Sequence, residues 1–168
     1  MVRDRIGYYH KMMGRPPTPE QQSLYDAVPT KRGFAWPRGY TEKQRNELFE
    51  AVLLFALAQT AQENGDAKPH SVYLFVPSGV EEWATQQIRR VASDLFGFCK
   101  KHQHVKLARH LGDQFKAILL GSRLTLATPK PDRWAVYGFE ADEDLPKWLV
   151  EGLVPVYPFN RDDEESHA

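Results

Sequence analysis

Eight consecutive apolar residues, Ala51 to Ala58, lie inside a segment whose flanks repeat every three to four residues, and this run constrains the fold more than any other feature. Leu48, Phe49, Val52, Leu53 and Ala56 follow helical spacing. A helix that is apolar on every side has no face to give to water, so it belongs at the centre of a domain. Thr41-Glu42-Lys43-Gln44 supplies its start: the threonine oxygen accepts from the third helical amide and the glutamine reaches back to the threonine amide. Asn64-Gly65 supplies an end. The chain has 168 residues, enough for one domain built around such a helix and too few for two full cores.

Downstream, Val72-Tyr73-Leu74-Phe75-Val76 is a continuous β-rich run, which predicts a strand covered on both faces. Pro77-Ser78-Gly79 breaks it, and Ser78 is placed to cap a second helix from about Val80 to Lys101. That helix carries an inner stripe of Trp83, Ala84, Ile88, Val91, Ala92, Leu95, Phe96 and Cys99. His104-Val105-Lys106-Leu107 alternates like a strand. Phe115 to Leu120 and Arg123 to Thr128 flank Gly121-Ser122, a two-residue hairpin turn that sets Leu119 opposite Leu124 and Ala117 opposite Leu126. Arg133 to Phe139 predicts a further strand, Leu145 to Gly152 a short helix, and Val154 to Phe159 an edge segment limited by Pro155 and Pro158. The expected fold is α+β: two long helices on a mainly antiparallel sheet of about four to five strands, with an extended N-terminal arm.

The expected organisation is a Pro- and aromatic-rich arm over residues 1–40, one α+β domain over 41–160, and an acidic flexible tail over 161–168. Gly14-Arg15-Pro16-Pro17-Thr18-Pro19 reads as polyproline-type chain. Tyr8, Tyr9, Tyr25, Phe34, Trp36 and Tyr40 argue that the arm is nonetheless ordered, because disordered tails are poor in aromatics. Trp36 and Phe34, nearest the first long helix, are the expected anchors.

The formal net charge of zero conceals a split: residues 1–137 carry +7 and residues 138–168 carry −7. A basic working surface with an acidic tail that competes for it is the reading this favours. In the arm, Arg32, Trp36 and Arg38 interleave cations with aromatics, and Arg89, Arg90, Lys100, Lys101, Lys106 and Arg109 add charge on the second helix and the segment after it. Single-stranded nucleic acid is held by that combination, with cations on phosphates and rings against bases. The expectation is a small non-enzymatic nucleic-acid-binding protein in a larger bacterial or phage assembly, with a protein partner as well. The alternatives are a protein-interaction subunit or inhibitor without nucleic-acid contact, and a small hydrolase using His104, His110 and Asp113.

Other constellations carry less. Cys99, His102, His104 and His110 are metal-ligand types, but Cys99 lies on the apolar stripe and the histidines are spread along the chain, so neither metal nor cofactor is expected. Glu81 and Glu82 would repel a phosphate at the start of the second helix. Asp142-Glu143-Asp144 reads as a solvated loop. The longest apolar run is far short of the roughly 20 residues of a membrane span, no apolar signal core follows Met1, and the lone Cys99 cannot form an internal disulfide, so a reducing, cytoplasmic location is expected.

Overall fold

Two helices stand where an extended arm is expected: α1 (Val2–Met13) and α2 (Pro19–Ala27). The chain continues through β1 (Gly33–Trp36), α3 (Glu42–Thr60), β2 (Val72–Phe75), α4 (Glu81–Lys101), α5 (Val105–Lys116), β3 (Ile118–Gly121), β4 (Trp134–Glu140), α6 (Lys147–Val150) and β5 (Leu153–Pro155). The computed structural model describes residues 2–27, 33–36, 40–61, 68–122, 124–129, 134–140, 145–151 and 153–155, with backbone alone for β1, β4 and β5. The acidic tail and the Asn64-Gly65 stop lie outside the described residues.

The arm is helical because its sequence contains two local signals that outweigh the prolines. Gly14 adopts φ +75° and ends α1: its amide donates to Lys11 O at 3.1 Å and the Arg15 amide to His10 O at 3.2 Å, the paired bonds of a Schellman motif. Thr18 and Gln21 then form a reciprocal capping box, with Pro19 at the first helical position, where its missing amide costs nothing. Pro16 and Pro17 occupy only the link between the helices. Ile6, Tyr9, Met12, Leu24 and Tyr25 are buried in the same core as α3, so the arm is anchored by tyrosines of its helices. The side chains of Phe34 and Trp36 lie outside the description.

Helix α3 begins as expected, with the Thr41–Gln44 capping box formed on both sides. Every residue from Leu48 to Ala58 is buried. The sheet strands β2, β3 and β4 lie against one side of α3, and α1, α2, α4 and α5 close the rest. Gln114 of α5 satisfies the buried end of α3, its Nε2 donating to Leu57 O at 3.2 Å and standing 3.4 Å from the Thr60 hydroxyl.

The sheet overturns the expected architecture. Its order is β3-β2-β4-β1-β5 and every described pairing is parallel. Helices dominate the described chain and lie between β1 and β2, β2 and β3, and β4 and β5, which is a parallel α/β arrangement and not an antiparallel α+β sheet. The hairpin across Gly121-Ser122 does not form. Residues 105–116 are helix α5, because Leu107, Leu111, Gln114 and Phe115 recur at helical spacing, a period that a four-residue alternation at His104–Leu107 is too short to reveal. Strand β3 pairs with β2 instead, Val72 opposite Ile118 and Phe75 opposite Gly121. Gly121 is a glycine for packing: a Cβ there would stand 2.8 Å from the Phe75 ring.

Along β2, Val72, Leu74 and Val76 are buried, while Tyr73 and Phe75 point the other way and stack with centroids 5.7 Å apart. Trp148 of α6 meets Phe75 edge-on at 6.3 Å and donates from Nε1 to Thr128 O at 2.7 Å. The strand is thus buried on one face and half-buried on the other, where its unbroken apolar run predicts cover on both. Among the described residues, no helix is long and apolar enough to cross a membrane.

Candidate nucleic-acid interface

Helix α4 starts just past the carboxyl end of β2 and runs for 21 residues, about 31 Å at 1.5 Å per residue. Its far end therefore stands well away from the carboxyl edge of the sheet, where open α/β folds bind small ligands. There the chain reverses into α5 through His102, Gln103 and His104. The Gln103 amide donates to Lys100 O at 3.3 Å and the His104 amide to Cys99 O at 2.9 Å, a second Schellman motif. Gln103 takes the left-handed position at φ 56°, where glycine is the usual occupant. The side-chain contact that accompanies such a motif is made by rings: His104 stacks on Phe98 at 6.0 Å with planes 14° apart. His102 packs on the same Phe98 at 4.4 Å.

This elbow gathers four of the nine residues singled out for nucleic-acid contact. Lys100 and Lys101 end α4, Lys106 and Arg109 open α5, and all four are exposed. Lys116 lies further along the outward side of α5. Between Phe98 and Lys116 the sequence has five cations and one carboxylate, Asp113. Among the described residues, these cations make no ion pair. Beneath them Cys99 is buried, in keeping with its place on the stripe, and burial pushes its thiol up.

The other five candidates do not join the elbow. Arg89 is exposed on α4, about 16 Å from Lys100 along the helix. Arg32 and Arg38 lie outside the described residues, and Trp36 is described by its backbone alone, in β1. Arg90 is turned to a different task. Its Nη1 donates to Glu50 Oε1 at 3.2 Å, and Arg15 Nη2 donates to the same oxygen and, at 3.0 Å, to Asp94. Gln21 Nε2 donates to the other Glu50 oxygen at 2.8 Å. Glu50 is 5 % exposed. Burial alone would raise its carboxyl, but the hydrogen bonds from Arg15 and Gln21 and the charges of Arg15 and Arg90 outweigh burial and hold it below the usual carboxylate range.

This cluster ties the α1–α2 link to α3 and α4. It floors an open cavity of about 590 Å³ whose lining balances Arg15, Lys43 and Arg90 against Glu42, Glu47 and Glu50. Next to it, His10 is buried. Its Nδ1 faces the Arg15 carbonyl at 3.2 Å, and a carbonyl only accepts, so Nδ1 carries the proton and Nε2 accepts from the Tyr25 hydroxyl at 2.7 Å. Burial lowers the His10 pKa and pushes the Tyr25 hydroxyl up, which keeps both groups neutral.

Three other expectations are placed as follows. Ser78 does not cap α4: Val80 is the N-cap without a side-chain bond, and the Glu81 carboxylate instead accepts from the Gly79 amide at 2.8 Å. His104, His110 and Asp113 are all exposed, and none lines the cavity at Glu50. No group of three metal-ligating side chains occurs among the described residues. The ring group of Phe98, His102 and His104 at the elbow is what sequence reasoning missed, because the histidines were weighed as metal ligands, as helix-end cations or as catalytic residues and never as aromatic rings. The signal available was two histidines spaced around the stop of a basic helix whose last turn holds a phenylalanine.

Comparison of the chain with protein-family models, curated proteins and solved structures gives no match.

Proposed function

We propose that this protein binds nucleic acid through the α4–α5 elbow, acting by contact within an assembly and not by catalysis. The observation that supports this most is that Lys100 and Lys101 at the end of α4 and Lys106 and Arg109 at the start of α5 are all exposed, across one short turn, without carboxylate partners among the described residues. Arg90, earlier on α4, is instead spent on structure, paired with Glu50. Cations that a fold leaves exposed and unpaired are available to phosphates, and releasing condensed counterions drives that association. The buried, unbridged Cys99 suits the reducing cytoplasm in which we place this activity.

A salt titration of binding to a labelled oligonucleotide tests the proposal. Four phosphate contacts give a slope of about −3 in log affinity against log salt for a single strand, or about 50-fold weakening between 50 and 200 mM. Reversing Lys100, Lys101, Lys106 and Arg109 to Glu abolishes binding and the slope with it. Absence of binding by the native protein at low salt refutes the proposal. Val105, 68 % exposed at the crown of the elbow, favours a second reading in which a protein partner sits there. Such a contact weakens far less with salt.

A further inference from the structure

The elbow carries something that phosphate contacts do not require. Phe98, His102 and His104 form one group of rings: Phe98 to His102 is 4.4 Å, Phe98 to His104 is 6.0 Å and His102 to His104 is 6.3 Å. Phe98 is half-buried and roots the group in the core, while both imidazoles are exposed. The Schellman turn holds them there, because the two amide bonds at Gln103 and His104 fix the backbone on which both histidines stand. Each imidazole packs on Phe98 and keeps ring surface open to solvent, and the exposed Lys100, Lys101 and Lys106 lie within four residues of it in the chain. An aliphatic residue at His104 would close the turn equally well. It would not present a flat π-face beside cations.

Resting on the elbow reading above, we propose that Phe98, His102 and His104 form a stacking platform for unpaired bases, so that the ligand is a single strand and not a duplex. Bases in a duplex already stack on one another and offer a side chain only their edges. A single strand offers its faces, and rings flanked by backbone-tracking cations take them with little regard to sequence. The geometry assigns two bases to the two histidines. The strand then passes along the outward side of α5, where Arg109 and Lys116 follow Lys106 at helical spacing.

The test uses the full chain and three probes: a 12-nucleotide single strand, the same sequence as a duplex, and an abasic strand of equal length. Single-strand affinity exceeds that of the other two by about 10-fold or more. His102→Ala/His104→Ala weakens single-strand binding by about 10- to 100-fold and leaves the salt slope unchanged. His102→Phe/His104→Phe keeps the rings without any charge and retains native affinity, which separates stacking from electrostatics and guards against a folding defect in the alanine variant. Equal affinity for single strand, duplex and abasic strand, with an alanine variant that binds like the native protein, overturns the platform and leaves the electrostatic elbow standing. Binding to none of the three overturns both.

Discussion

The middle of α4 and its C-terminal end carry the same kind of charge and use it in opposite ways. At the middle, Arg90 meets a buried carboxylate that already holds Arg15, and together they tie the α1–α2 link, α3 and α4. At the end, Lys100 and Lys101 meet solvent, and α5 begins with two more exposed cations and pairs none of them with a carboxylate among the described residues. The difference lies in what the neighbouring elements supply. A cation on a helix is structural where the opposing helix presents an acid, and is free for a ligand where the chain turns away from the core. Breaking the first site should therefore damage stability and spare binding, and breaking the second should do the reverse.

The largest effect is expected at the buried carboxylate. Arg15→Ala removes the nearest partner of Glu50 and leaves a charge in the interior with Arg90 and Gln21 alone, which costs about 3 kcal/mol. Chemical denaturation measures it, and a loss below about 1 kcal/mol would mean that the cluster is hydrated and contributes little. Single-strand binding by the folded fraction should match the native protein. The fourfold elbow reversal is the mirror experiment: binding disappears while stability stays within about 1 kcal/mol, because those side chains are exposed.

Acid should unfold the protein from the same cluster. The His10 pKa is lowered by burial, so below its ordinary value of 6.5 the unfolded chain takes up a proton that the folded chain resists, and stability begins to fall there. The Glu50 pKa is also lowered, so the stability it contributes is fully present above its ordinary value of 4.5 and is lost as pH falls through its folded value. Thermal melts from pH 8 to pH 3 should show both losses. His10→Gln should flatten the upper one while leaving the lower one in place.

Two smaller changes sharpen the picture of the elbow. Gln103→Gly relieves the left-handed backbone at the turn and should stabilise the protein by about 0.5–1 kcal/mol without moving the rings. A loss of stability would mean that the Gln103 side chain holds the turn. Deleting residues 161–168 removes a net charge of −3 and should tighten single-strand binding slightly, and only at low salt. The effect is small because screening at ordinary salt leaves little of a net charge of −3 to be felt at the elbow. Equal affinities for the two forms would leave the tail as a solubilising end.

Much of the helical framework was legible in the chain. The Thr41 capping box, the all-apolar turn of α3 and the stripe of α4 are local signals, and local signals survive folding when the tertiary context agrees with them. The same box at Thr18–Gln21 was hidden by Pro16, Pro17 and Pro19, although a proline at the first helical position starts a helix as readily as it breaks one. Strand direction was illegible for a different reason. Gly121-Ser122 satisfies the turn chemistry of a hairpin, and nothing local records that the Phe75 ring of a strand over forty residues earlier needs the space at Gly121.

For the candidate interface, the sequence determined the inventory: which residues are cationic, that α4 ends in Lys100 and Lys101, and that its apolar stripe buries Cys99. The tertiary structure decided which cations share a surface. It brought Arg90 to Glu50, forty residues away in the chain, and it packed α5 against α4 while leaving Lys100, Lys101, Lys106 and Arg109 exposed. The physical reason is that charge is a property of a residue, whereas pairing is a property of distance, and these distances arise only when helices pack.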